Sequence, residues 1–249
     1  MNKKEYRVSV AMAAYNGESY IVSQIESILK QLNKEDELVI SLDPSTDMTE
    51  MLLREIRKRD SRVRLIRGKG KGLIKNFENA IRHCKNEIIF LSDQDDLWKA
   101  NKVERVLECF QNDDVTLVMH DAEVVNGSLE CIDASFIEKR GCRTGVLQNV
   151  IKNSYIGCCM AFRKELKRYI LPFPESIPMH DQWIGILSEI TGMSMMIDEA
   201  LICYRRHGNN VSSESHAGIF QMIRWRAGLF DNLVKFYIKY KFNKEWNQK

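Results

Sequence analysis

Three carboxylates stand within four positions in Phe90-Leu91-Ser92-Asp93-Gln94-Asp95-Asp96-Leu97-Trp98, directly after the apolar run 88–91. A short apolar run of that kind fills a buried parallel strand. Like charges a few ångströms apart repel unless a cation lies among them, and hard oxygen ligands at the carboxyl end of a strand suit Mg²⁺ or Mn²⁺ carrying phosphate groups. The competing reading is an acidic loop that caps the following helix. A lone Asp would favour the cap; Asp-x-Asp-Asp after a buried strand favours the cation. Lys71 and Lys75, in and just after the glycine-rich link 68–72, are candidates to approach a phosphate. That link lacks the GxxxxGK[ST] spacing of a Walker loop.

The elements that must position these groups follow from hydrophobic period. Residues 7–13 read as a strand, and Ile21, Ile25, Ile28, Leu29 and Leu32 fall on one face of a helix. A second strand at 37–42 runs into the turn Asp43-Pro44-Ser45-Thr46-Asp47 and a helix carrying Leu52, Leu53 and Ile56. A strand at 63–66, a helix with Ile74, Phe77 and Ile81 inward, and the strand before the acidic cluster complete a β-α-β-α-β-α-β alternation. Such alternation implies a mostly parallel sheet with helices on both faces, and ligands that gather beyond the carboxyl ends of the strands. A helix at 99–111 and a strand at 115–119 come next. Asn126-Gly127 signals a hairpin, and weak periodicity from 128 to 145 implies a mobile loop of the kind that closes over a reactive donor. Residues 155–162 read as a strand, 172–178 as a rigid connection into a helix beginning near Asp181, and 193–197 and 201–204 as late strands. The organisation expected is a domain over 1–215, with halves at 1–122 and 123–215, and a helical tail at 216–249.

Composition bounds the function. The 249 residues suffice for one large α/β domain, and a net charge of +3 without an arginine-rich or zinc-finger pattern argues against nucleic acid. Seven cysteines with no Cys-x-x-Cys pair read as reduced thiols. No apolar signal segment or membrane-length run is seen, so the expected location is the cytoplasm, with the inner membrane face as an alternative.

Taken together, the motifs resemble those of family 2 glycosyltransferases of the GT-A fold, nearest the bacterial surface-polysaccharide group that includes rhamnosyltransferases. The resemblance is carried by Val8-Ser9-Val10-Ala11-Met12-Ala13-Ala14-Tyr15-Asn16-Gly17, the 43–47 turn, Ser92-Asp93-Gln94-Asp95-Asp96-Leu97-Trp98, His180-Asp181-Gln182-Trp183 and Tyr204-Arg205-Arg206-His207-Gly208-Asn209-Asn210. It implies a Rossmann-like nucleotide half and a smaller acceptor-side region. It implies further that Ala13, Tyr15 and Asp43 hold the base of a UDP- or dTDP-sugar, a role whose chemistry is sound because uracil and thymine present an N3–H that a carboxylate can accept. Leu42 and Pro44 depart from the family's usual Asp-Asp-Gly-Ser turn.

The same resemblance puts Asp93 near the ribose and the metal, Asp95 on the Mn²⁺ or Mg²⁺, and Asp96 behind the loop. Asp181 becomes the base of an inverting transfer to a glycan hydroxyl, with Trp183 a sugar platform and His180 its neighbour at the acceptor. His207 is a candidate third metal ligand, and Arg206 a bidentate partner for the diphosphate. The rival functions are a sugar nucleotidyltransferase, a class that would place a glycine- and arginine-rich loop directly after the first strand, where Tyr15-Asn16-Gly17-Glu18 lacks one, and a nucleotide-sugar-binding module without turnover. In the tail, Phe220, Ile223, Ala227, Phe230, Val234 and Tyr237 form one stripe beside several cations. It fits packing on the domain, a homodimer contact, or a membrane interface near a lipid-linked acceptor.

Overall fold

The computed structural model describes residues 3–207 and 218–242. The motif's last residues, 208–210, and the expected boundary at 215 lie outside them. The first half follows the periodicity of the sequence: β1 (Val8–Ala14), α1 (Ile21–Leu29), β2 (Glu37–Leu42), α2 (Thr49–Arg59), β3 (Val63–Arg67), α3 (Leu73–His83) and β4 (Ile88–Ser92). β1, β2 and β4 are buried along their whole length, as continuous apolar runs in a sheet covered on both faces must be. β1 pairs in parallel with both β2 and β4, so residues 13–14, 43 and 93 leave the sheet at one edge.

The second half completes one sheet in the order β3-β2-β1-β4-β8-β6-β9-β5, with β7 paired to β6. β5 (Leu97–Trp98) precedes α4 (Lys102–Cys109), and β6 (Val115–Val125) is longer than its apolar core. β8 (Met160–Arg163) runs antiparallel between β4 and β6, which restores β6 and its parallel neighbour β9 (Met193–Arg205) to the direction of the first strands. The sheet is thus mixed and mostly parallel.

Several expectations change. The expected strand at 155–162 is a 3₁₀ turn over Gly157–Cys159 followed by the four residues of β8. The two late strands are one, β9, because register shifts against β6 absorb the polar interruption at Asp198-Glu199. The hairpin is present as β6 and β7 (Cys131–Asp133), but 128–145 is not a structureless loop. It contains α5 (Phe136–Arg140), started by Ser135 Oγ accepting from the Glu138 N–H at 3.0 Å and stopped by Gly141 at φ 62°. Asp121 Oδ1 pins it further by accepting from the Ile137 N–H at 2.8 Å.

α6 (Val146–Ile151), α7 (Lys167–Ile170), α8 (His180–Thr191) and α9 (Ile219–Phe242) finish the described chain. α9 buries Leu229, Leu233 and Phe236, so the face seen in the sequence as a stripe is the outward one: Ile223, Phe230, Val234 and Tyr237 are exposed. No helix among the described residues is long and apolar enough to cross a membrane.

Candidate active site

A cavity of about 870 Å³ opens where the strand ends converge. Its walls include Ala13, Tyr15 and Asp43 on the β1–β2 side, Asp93 and Asp95 after β4, His180 and Asp181 at the start of α8, and His207 after β9. Eight of the residues singled out in the sequence therefore meet at one place.

Three do not. Lys75 Nζ is held by Glu78 Oε2 and the Phe173 carbonyl, each at 2.8 Å, on the side of α3 turned from the cavity. Trp183 is buried behind it, its Nε1 donating to the Ile170 carbonyl at 3.1 Å and its ring edge-on to Phe236, so it packs helices and offers no platform to a sugar. Arg206 stands 5.5 Å from the Tyr204 ring centroid and is absent from the cavity wall. Helical phase explains Trp183: two positions after Asp181, it turns roughly 200° away from it.

The β1–β2 side of the cavity is tied together by side chain to backbone bonds. Tyr15 donates its N–H to Gln94 Oε1 at 2.9 Å and accepts at its carbonyl from Gln94 Nε2 at 2.8 Å, a carboxamide imitating a strand neighbour. A Cβ on Gly17 would lie 2.3 Å from Gln94 Oε1, so glycine is required for that closure. Asn16 Oδ1 and the Asn16 N–H bond to Thr46 and Ser45, fastening the same loop to the turn after β2. Asp43 is buried, with Oδ1 accepting from the Gly70 N–H at 2.9 Å. Asn76, on the wall beside it, holds the Ala14 carbonyl at 3.1 Å and keeps a buried Oδ1 with no hydrogen-bond partner.

In the acidic loop, Asp95 Oδ2 lies 2.9 Å from His207 Nε2, and the imidazole stacks on Tyr20 with centroids 4.8 Å apart. Asp93, Asp96 and Cys158 also bring potential ligand atoms within 4.8 Å of one another. Asp96 and Cys158 are buried beneath the cavity, and a thiol is a poor ligand for a hard cation. Asp93, Asp95 and His207 face the open side, where an ion could also touch a diphosphate. Burial, then the charges of Asp96, Asp95 and Asp181, push the Asp93 carboxyl well above its ordinary range; burial and Asp95 push Asp96 up to about 7. By residue type two carboxylates and an imidazole suit Mn²⁺ or Mg²⁺, and a cation would relieve the repulsion, but among the described residues only Asp93, Asp96 and Cys158 bring three ligand atoms within 4.8 Å, so Asp93 would have to approach the Asp95–His207 pair for the three to share an ion.

Two cations already support this loop. Arg205 donates its N–H to Asp96 Oδ1 at 3.0 Å, its Nε to the Asp95 carbonyl at 2.8 Å and an Nη to the Gly127 carbonyl at 2.7 Å. Lys102 is fully buried, with Nζ 2.8 Å from the Cys158 carbonyl and 4.0 Å from the Trp98 ring centroid. Burial draws its pKa down to about 8.

Across the cavity, Asp181 Oδ1 accepts from Asn153 Nδ2 at 3.1 Å and from the Gln182 N–H at 2.6 Å. Burial outweighs these bonds and raises the carboxyl to about 6. His180 stacks on Phe77 with centroids 4.1 Å apart, and neither ring nitrogen has a hydrogen-bond partner. Burial lowers its pKa to about 3, so it is a neutral imidazole. A Cβ on Gly157 would come 2.8 Å from His180 Nε2, and its absence keeps that nitrogen clear. Gln94 and Arg205 stand inside sequence motifs without having been singled out; Asn76, Lys102 and Asn153 carry no local signal, since only tertiary packing brings them here.

The chain is similar in sequence and in fold to known proteins. Residues 9–205 match the family described as Glycosyl transferase family 2. The chain is a family 2 glycosyltransferase. It is 28% identical over 215 residues to the UDP-Glc:alpha-D-GlcNAc-diphosphoundecaprenol beta-1,3-glucosyltransferase WfgD of Escherichia coli, covering 84% of this chain and 81% of the relative. It is 27% identical over 219 residues to the dTDP-rhamnosyl transferase RfbG of Shigella flexneri, covering 80% and 72%. In fold it is similar to S. aureus TarS in complex with UDP-GlcNAc (TM-score 0.71, 18% identity, 96% of this chain and 74% of that one). It is also similar to the Pyrobaculum calidifontis mannosyltransferase PcManGT in complex with GDP-Man and Mn²⁺ (TM-score 0.63, 17% identity, 95% and 64%). The glycosyltransferase thus has the GT-A fold, and its family is one of sugar-transferring enzymes, not of nucleotidyltransferases.

Proposed function

We propose that this glycosyltransferase moves a sugar, with inversion and with the help of a divalent cation, from a UDP- or dTDP-sugar to a hydroxyl of a growing bacterial polysaccharide. The observation that carries the reading is the shared cavity: a base pocket at Asp43 and Tyr15, cation candidates at Asp93, Asp95 and His207, and a further carboxylate, Asp181, close enough for its charge to act on Asp93. Asp43, with one oxygen engaged by Gly70, has its second oxygen to accept the N3–H of a pyrimidine, and Tyr15 offers the base a ring to stack on. A bound Mn²⁺ or Mg²⁺ supplies positive charge against that which grows on the leaving diphosphate. Asp93, Asp95 and His207 hold the ion's place, while Arg205 and Lys102 keep their loop from spreading.

Asp181 accepts the proton of the attacking hydroxyl, oriented by Asn153 and aided by a pKa of about 6 that leaves it ionised at neutral pH. His180, a neutral imidazole on the cavity wall whose two ring nitrogens are buried without hydrogen-bond partners, backs the acceptor side of the cavity. The seven cysteines are all free thiols, in keeping with work in the cytoplasm. The test is a thermal-shift series with UDP, dTDP and GDP, each with Mn²⁺ and with EDTA. UDP or dTDP with Mn²⁺ raises the melting temperature well above the nucleotide in EDTA, and Asp95→Ala removes the metal-dependent part. Equal shifts with and without metal in the wild type would overturn the cation's role; a GDP preference would overturn the pyrimidine pocket.

A further inference from the structure

α9 is docked by one face and carries a second apolar face that nothing among the described residues covers. On the inner side Leu229, Leu233 and Phe236 are buried, Phe236 lies against Trp183 at a centroid distance of 6.4 Å, and Asn232 bonds to Ser176 Oγ at 2.8 Å. On the outer side Ile223, Phe230, Val234, Tyr237 and Ile238 are exposed at helical spacing, with Phe230 63% and Ile238 54% open. Packing of α9 on its own domain is already satisfied by the inner face, so the outer stripe needs another reason.

The patch extends beyond α9. Arg226 donates to the Ile151 carbonyl at 2.9 Å, which sets α6 alongside, and α6 shows Leu147 at 81% and Ile151 at 66% exposure. Around this apolar surface the charge is one-sided: Arg224, Arg226, Lys235, Lys239 and Lys241 against Asp231 alone within 219–242. Trp225 and Tyr237 add amphipathic rings at its margin.

We propose that the outer face of α9, with the exposed end of α6, seats this enzyme on an anionic membrane surface. An apolar stripe bordered by cations and by Trp and Tyr matches the boundary between acyl chains and acidic headgroups. A second copy of this chain would bring the same positive charge to a two-fold contact and be repelled. The helix lies in the plane of the interface, since it is not apolar enough to cross. The same helix grips Trp183 of α8, whose first turn holds Asp181, so the membrane seat and the acceptor side of the cavity share one rigid pair of helices.

Sedimentation of the full chain with phosphatidylglycerol–phosphatidylcholine vesicles tests this, beside pure phosphatidylcholine and at low and high salt. Binding is expected to the anionic vesicles at low salt and to fall about 10-fold or more at high salt, because each screened cation contributes to adsorption. Phe230→Glu with Tyr237→Glu loses the binding about 10-fold while keeping the nucleotide-dependent thermal shift, which shows the fold and donor site intact whatever the true donor chemistry. No binding by the wild type at low salt, or unchanged binding by the double variant, overturns the proposal. So does a dimer in light scattering that the double variant breaks apart.

Discussion

If Asp181 is the base, as proposed, two demands conflict there, because a base must be ionised while its surroundings favour the neutral acid. Its carboxyl rises from 3.8 to about 6 on folding. The stability from a raised acid is fully present below about pH 4 and is lost as pH climbs through about 6, so at pH 8 the native state carries a cost of order 3 kcal/mol. Asp181→Asn therefore melts higher than the wild type at pH 8, and the gap closes below pH 4. The same variant binds donor normally and transfers sugar about 10²- to 10⁴-fold more slowly. In the wild type the rate falls as pH drops below about 6. Initial rates and melting curves from pH 4 to 8 check all three, and transfer within a few-fold of wild type in the variant would place the base elsewhere. Asp181 was legible because its motif is local. Its partner Asn153, 28 positions away in the chain, was not, since nothing before folding distinguishes that Asn from its neighbours.

Helices and strands were legible where one period persisted for long enough. The first four strands match their sequence pattern to within a residue, and α1 stops at Leu29, short of the Leu32 in its expected stripe, whereas α5 is five residues long and its order comes from a cap, a left-handed Gly141 and Asp121 on β6. α9 shows another limit: the pattern revealed an apolar stripe, but a helix with two apolar faces leaves open which one is buried. Trp183 is the companion case, where a residue in the right motif serves the packing of α8 against α9. Trp183→Phe removes the bond to the Ile170 carbonyl and some volume, with an expected loss of about 1–3 kcal/mol in denaturant unfolding. Its kcat/KM for soluble acceptors stays within about 2-fold of wild type. A sugar platform would give the reverse result, with stability kept and kcat/KM reduced.

Over the whole molecule, β8 makes the two halves of the chain continuous. By pairing with both β4 and β6 it carries one sheet across the expected division at 122, so the acidic loop from the first half and Asp181 from the second are fixed to a common frame. The base loop is joined to that frame by the Gln94 carboxamide on both polar groups of Tyr15. An amide donates and accepts at once, as a carboxylate cannot, so Gln94→Glu breaks half of the clasp. Because that clasp is made by protein groups alone, we expect UDP capture to be a single collision rather than a collision followed by folding of a loop. In stopped-flow fluorescence with Mn²⁺, the observed rate should climb linearly with UDP concentration in the wild type, whereas a loop released by Gln94→Glu makes it level off at the rate of its own closure.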